Sequence, residues 1–150
     1  MDLPDRLGDR FALRQLNDDY GYFLDHGEVA ALTALFTEDA LYTNGPRISQ
    51  GRDEIEAFFH KRLAGGPRTS RHFYSGLRVT FVSETEAKGF SNWLAFASPG
   101  VAPIQMADPF NVADFEDLYR LEDGRWRIAE RHIRSAFLNP DVPPPGTVRT

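Results

Sequence analysis

The chain has 150 residues, 22 acidic and 17 basic side chains, a formal charge of −5 and no cysteine. These counts exclude thiol nucleophiles, thiolate metal sites and disulfide scaffolds, and without a basic stripe they argue against a nucleic-acid partner. The length suits one domain that buries roughly 70% of its unfolded surface, and 12 phenylalanines provide for a large core or an aromatic-walled cavity. The opening MDLPDRLGDRF lacks the apolar stretch of a secretory signal. No apolar run approaches the ~20 residues of a membrane span. The expectation is a cytoplasmic protein with no membrane partner.

In chain order, the spacing predicts a first helix from Arg6 to Asp25, with Leu13, Leu16, Tyr20, Phe23 and Leu24 in one buried stripe. Leu7, Phe11, Asp18, Tyr22 and Asp25 form a second stripe roughly opposite, so the helix should be covered on two sides. Gly27 is a plausible stop. A short helix from Val29 to Phe36 follows, then a strand at Ala40–Thr43, broken by Asn44-Gly45-Pro46. Arg52–Leu63 reads as a third helix, with Ile55, Phe58, Phe59 and Leu63 on one face. Four long strands follow at 69–82, 86–98, 110–121 and 125–137, turning at Ser83–Thr85 and at Asp123-Gly124. The SPGVAPIQMADP segment between the middle pair is long enough to be a functional loop. Residues 1–137 therefore read as one α+β domain, three N-terminal helices on a curved antiparallel sheet. Residues 138–150 form a proline-rich tail suited to lying along a surface.

This order, together with FTEDALY after the second helix, GRDEIEAFF opening the third, DHG ending the first, RHF in the first long strand and LYRLEDGRWRIAER in the last hairpin, resembles the SnoaL-like superfamily. The resemblance covers residues from about 6 to 135 and implies the cone-shaped α+β barrel of the nuclear transport factor 2-like fold. That fold hosts isomerases, dehydratases, hydrolases, cyclases and binding proteins, so function must come from the site. The matching pieces are most similar to the branch holding scytalone dehydratase, bile-acid 7α-dehydratase and hexachlorocyclohexane dehydrochlorinase. The resemblance implies a catalytic pair, Asp25 with His72, a site tyrosine at Tyr20, and ring-shaped trimers. Ala97 and Phe115 stand where scytalone dehydratase has a second histidine and an asparagine. Asn44 replaces the general-base aspartate of ketosteroid isomerase, whose oxyanion pair would fall on Tyr20 and Asp117.

The residues themselves support part of this. A carboxylate bonded to an imidazole fixes its tautomer and raises its basicity, which suits removal of a proton alpha to a carbonyl or of a leaving group's vicinal proton; the resemblance implies that Asp25 and His72 lie within hydrogen-bond reach, about 2.6–3.2 Å, or are bridged by one water. His72 is out of phase with Leu77, Val79 and Phe81 unless a bulge at Ser75-Gly76 intervenes. Asp117 interrupts the apolar face of Ala113, Phe115, Tyr119 and Leu121, so it must be hydrogen-bonded, protonated or paired, with Arg127 or Arg131 as candidates. His132 and Glu130 share the phase of Trp126 and Ile128. Tyr22, Tyr42, Phe58, Phe90 and Trp93 would wall a hydrophobic cavity if they face inward. Asn44 either binds a substrate oxygen or makes the turn. The four histidines show no metal-ligand spacing, and no glycine loop cradles a phosphate, so no metal and no cofactor are expected.

The expectation is a cofactor-independent lyase or isomerase acting on a small hydrophobic, cyclic carbonyl or alcohol. Asp25 and His72 would be catalytic, and Tyr20, Tyr42, Asn44, Trp93, Asp117 and His132 would bind substrate. The rival reading is a non-catalytic ligand-binding or assembly module, similar to the small subunit of ring-hydroxylating dioxygenases. Strands apolar on both phases also predict self-association, with a homotrimer slightly favoured over a homodimer.

Overall fold

The computed structural model describes residues 6–105 and 108–142. The tail from 143 onward and two residues of the 99–109 loop lie outside them, and with them the expected course of the tail. The described elements are α1 (Leu7–His26), α2 (Val29–Thr33), β1 (Phe36–Asn44), β2 (Arg47–Gln50), α3 (Arg52–Leu63), β3 (Arg68–Phe81), β4 (Glu86–Pro99), β5 (Pro109–Glu122) and β6 (Arg125–Leu138). The strands join one six-stranded sheet in the order β2-β1-β6-β5-β4-β3. The fold is α+β, with a curved, unclosed sheet whose edges are β2 and β3. All neighbouring strands are antiparallel except β1 and β6, which run parallel.

α1 lays Leu13, Leu16, Tyr20 and Leu24 into the core, with Asn17 and Gly21 on the same side. It stops at Gly27, which takes the left-handed conformation (φ 67°) that glycine adopts without Cβ strain and donates its N–H to Phe23 O. The second stripe is not covered among the described residues: Leu7, Phe11 and Tyr22 are 73%, 70% and 55% exposed.

The expected second helix is cut short. Ile128 of β6 donates its N–H to Leu35 O, and Phe36, wholly buried, pairs with Ile128 as the first residue of β1. Tertiary pairing thus overrides a local helical pattern, as it often does for a short segment. The Asn44-Gly45-Pro46 break is a hairpin turn leading into β2, a four-residue strand too short to show a period.

The four long strands start and end within a residue or so of their predicted limits. Asp123 and Gly124 both adopt positive φ (52° and 76°), as a tight Asp-Gly hairpin requires. In β3 the register shifts between Ser75 and Arg78, with Gly76 at φ 66°. This bulge puts Ser70, His72 and Tyr74 on the same face as Leu77, Val79 and Phe81, as the sequence pattern requires.

β4 turns Ser91, Trp93, Ala95 and Ala97 inward and leaves Phe90, Leu94 and Phe96 half-buried on the other face. Phe90 therefore does not wall the cavity. Gly89, opposite Asp117 in β5, lies beneath the Tyr119 ring. A Cβ at position 89 would overlap that ring and come within 2.9 Å of its hydroxyl. Tyr119 is fully buried and cannot swing away, so Gly89→Ala is expected to cost about 1–3 kcal/mol in urea unfolding; an unchanged midpoint would show that the ring can yield.

Candidate active site

α1 ends with Asp25 in its last turn, where the negative end of the helix dipole disfavours a carboxylate. Three donors from β3 offset this. His72 Nδ1 lies 2.6 Å from Asp25 Oδ1, the His72 backbone N–H donates to Oδ2 at 2.8 Å, and the Ser70 hydroxyl donates to Oδ1 at 2.9 Å. Facing an acceptor-only carboxylate, Nδ1 carries the proton, which leaves Nε2 as the basic nitrogen. Burial raises the Asp25 pKa, but the His72 side chain, its backbone N–H and the Ser70 hydroxyl outweigh it, and the carboxyl titrates below its ordinary value. The Asp25 side chain is 6% exposed and that of His72 14%.

The His72 ring lines a cavity of about 380 Å³ enclosed by α1, α3 and the concave face of the sheet. Tyr20 and Trp93 form part of its wall, with Tyr42, Phe58 and Phe115, and Asn44 stands at the turn. The Tyr20 and Tyr42 hydroxyls lie 3.3 Å apart. Burial is the main cause of the rise in both pKa values, so both phenols stay protonated. One hydroxyl donates to the other, and the pair keeps a second O–H for a ligand oxygen. Trp93 is fixed by its Nε1–H bond to Ser91 and by stacking on Phe115 and Tyr74, each with ring centres 4.7 Å away.

Two expected substrate contacts do not reach this cavity. Asp117 lies below it, fully buried and saturated: Arg131 donates from Nε and Nη2, each at 2.9 Å, and the Tyr119 hydroxyl donates at 2.6 Å. Held as the partner of a guanidinium, it cannot be the neutral donor of an oxyanion site. The salt bridge with Arg131 is the alternative that the structure realises. His132 turns outward to Thr43 Oγ1 (2.9 Å) and Glu130 (3.1 Å), because a register shift opposite Leu118 and Tyr119 reverses the phase of β6 after Ile128. Tyr22 also faces away, stacked on His26.

Residues 5–132 match the model of the SnoaL-like domain family. The chain belongs to that family. This SnoaL-like chain is 26% identical to a candidate scytalone dehydratase from Novosphingobium aromaticivorans, over 96% of this chain and 91% of that one, with a TM-score of 0.80. Two further structures show the same fold. A type 2 hexachlorocyclohexane dehydrochlorinase is 21% identical over 91% and 90% of the chains (TM-score 0.77). A candidate aromatic ring hydroxylase from Novosphingobium aromaticivorans is 19% identical over 87% and 91% (TM-score 0.74). No protein of curated function matches the sequence. Among the described residues, no helix is long and apolar enough to cross a membrane, and no three His, Asp or Glu side chains converge as metal ligands do.

Sequence reasoning missed Ser70, Arg68, Arg62 and Asn111 of this SnoaL-like site. Strand period alone reveals the first two: once His72 faces inward, positions 70 and 68 share its side. Arg62 follows the apolar stripe of α3, and nothing in its spacing marks it.

A carboxyl whose folded pKa is depressed contributes stability that is complete above its unfolded value, about 3.9, and lost as pH falls through the folded one. Asp25→Asn is expected to lower stability at pH 7 by about 1.5–3 kcal/mol, the worth of its charged hydrogen bonds. The gap to wild type in urea melts should narrow as pH drops below about 4. A gap that persists unchanged into acid would show that Asp25 is not ionised in the folded protein.

Proposed function

We propose that this SnoaL-like protein is a cofactor-independent lyase of the dehydratase kind, or an isomerase, acting on a small hydrophobic, cyclic carbonyl or alcohol. The observation that carries the reading is the hydrogen bond between His72 Nδ1 and Asp25 at the wall of the cavity. Likeness to dehydratase and dehydrochlorinase structures supports it. An open cavity of about 380 Å³ favours a ligand-processing role over an assembly module with a side-chain-filled cone.

In this reading His72 Nε2 takes the proton from the carbon next to the carbonyl, and the C–H electron pair moves into an enolate. The Tyr20–Tyr42 pair donates to the developing oxyanion, the kind of preorganised contact that stabilises such charge. In a dehydration the enolate pair then expels a vicinal hydroxyl, which leaves as water with the proton from the imidazolium. In an isomerisation that proton returns to a different carbon. Asp25 holds the tautomer and stabilises the imidazolium, so it acts through His72.

Deuterium incorporation at C2 of 1-indanone and at C1 of 2-tetralone in heavy water, followed by NMR, tests the proton abstraction without knowledge of the natural substrate. The wild-type protein is expected to accelerate exchange, His72→Gln to lose it by about 10²–10⁴-fold, and Asp25→Asn to lose less. Exchange that survives His72→Gln overturns the assignment.

Self-association belongs to the same reading, with a homotrimer favoured over a homodimer. The exposed Leu7, Phe11 and Tyr22 stripe of α1 supports it. Light scattering is expected to give a multiple of the 17.0 kDa chain mass at micromolar concentration, and the monomer mass would contradict it.

A further inference from the structure

The proposed proton transfer leaves the charges of the cavity unused. The chain is acidic overall, yet among the described residues lining the cavity the charged side chains, the His72 imidazole aside, are all arginines: Arg47, Arg62 and Arg68. Arg47 is exposed at the β1–β2 turn, its guanidinium 5.7 Å from the Phe58 ring. Arg62, in the last turn of α3, is half-buried, and its one hydrogen bond among the described residues is a long contact, 3.5 Å, to Leu24 O near the end of α1. Arg68, the first residue of β3, has its Nε buried without a partner. Among the described residues neither Arg62 nor Arg68 makes an ion pair. The Asn111 Oδ1, on the same wall, is also buried and unpaired.

A guanidinium drawn into a mostly apolar cavity is unfavourable unless a counter-charge meets it. Burial, and then the charge of Arg62, push Arg68 down to about 10, which leaves it cationic at neutral pH. Burial likewise lowers Arg62. The two arginines are near enough to repel each other; the Asp25 charge favours the cationic form of Arg62, but among the described residues no carboxylate lines the cavity. A bound anion completes such an arrangement. The planar guanidinium fork matches a carboxylate through two parallel hydrogen bonds.

We propose that the ligand of this cavity is a ring-bearing carboxylic acid, its carboxylate held by Arg62 and Arg68 and its ring packed against Phe58, Trp93 and Phe115. This rests on the reading of the cavity as a substrate site and names the substrate class. The unpaired Asn111 oxygen offers an acceptor for a hydroxyl on the same ligand.

Calorimetric titration of the full chain with benzoate, 3-phenylpropanoate and 1-naphthoate, each against its primary amide and with 1-naphthyl phosphate alongside, tests the proposal. At least one acid is expected to bind about tenfold or more tighter than its amide, the scale of a charged hydrogen bond. Arg62→Gln and Arg68→Gln should each remove most of that preference while the affinity for the amide, a readout of an intact cavity, stays within about threefold. Arg68→Lys, which keeps the charge but loses the fork, should fall between. Equal binding of acid and amide, no binding of any acid, tighter binding of the phosphate, or a preference that survives in the double glutamine variant each overturns the proposal. A protein that prefers acids but catalyses no proton exchange contradicts the lyase reading alone. One that catalyses exchange but binds acid and amide alike contradicts this inference alone.

Discussion

Arg131 carries a full positive charge with no exposed surface, and the structure is organised around keeping it there. Asp117 accepts from its Nε and Nη2, and the electrostatic gain from that partner outweighs the burial that would lower the guanidinium pKa. Tyr119 donates to the same carboxylate. Asn17 reaches in from α1, accepting from Arg131 Nη2 through its oxygen and donating to the Tyr119 hydroxyl and to Leu13 O through its nitrogen. The ring thus ties the first helix to β5 and β6. A buried pair gives little net stability against an apolar replacement, but losing one partner costs several kcal/mol. Its worth here is positional. Asp25 lies eight residues beyond Asn17, about 12 Å along the helix axis, so the clamp fixes the height at which the carboxylate meets His72. The guanidinium also lies 4.3 Å from the centre of the Tyr20 ring and 4.9 Å from that of Phe115, under the cavity floor.

The architecture was largely legible because most elements carry strong periods. α1 spans five turns with a clear stripe, α3 is bounded by Gly51 and the Gly65-Gly66-Pro67 run, and the long strands alternate between definite turns. The failures fall where the deciding interaction is remote. Whether Leu35 and Phe36 end a helix or begin a strand depends on β6, some ninety residues later. The parallel pairing of β1 with β6 has no local signature. The outer stripe of α1 was visible as apolar, but among the described residues nothing covers Leu7, Phe11 and Tyr22.

Within the site, the Asp25–His72 pair was named from the resemblance to the dehydratases, and a glycine suggested the bulge that brings the histidine into phase. Asp117 was recognised as a buried carboxylate, and Arg131 among its candidate partners. Which partner it takes is a matter of where β6 shifts register, at Ala129, and that shift also carries His132 out of the interior. No glycine marks it. The cavity arginines were illegible for another reason: arginine is common in this chain, and only three-dimensional placement separates a solvated one from one that lines a cavity and makes no ion pair among the described residues.

The parallel contact between β1 and β6 also bears on how the molecule comes into being. Strands that follow one another in sequence can pair as they leave the ribosome. β1 can do so only with β2, because its other neighbour, β6, is made some ninety residues later. Until β6 emerges, β1 lacks the strand that joins it to the rest of the sheet, and Phe36 lacks its partner Ile128. Such long-range closure slows folding and lengthens the exposure of apolar surface. The exposed interval of the nascent chain therefore centres on β1, and pairing with β6 closes it.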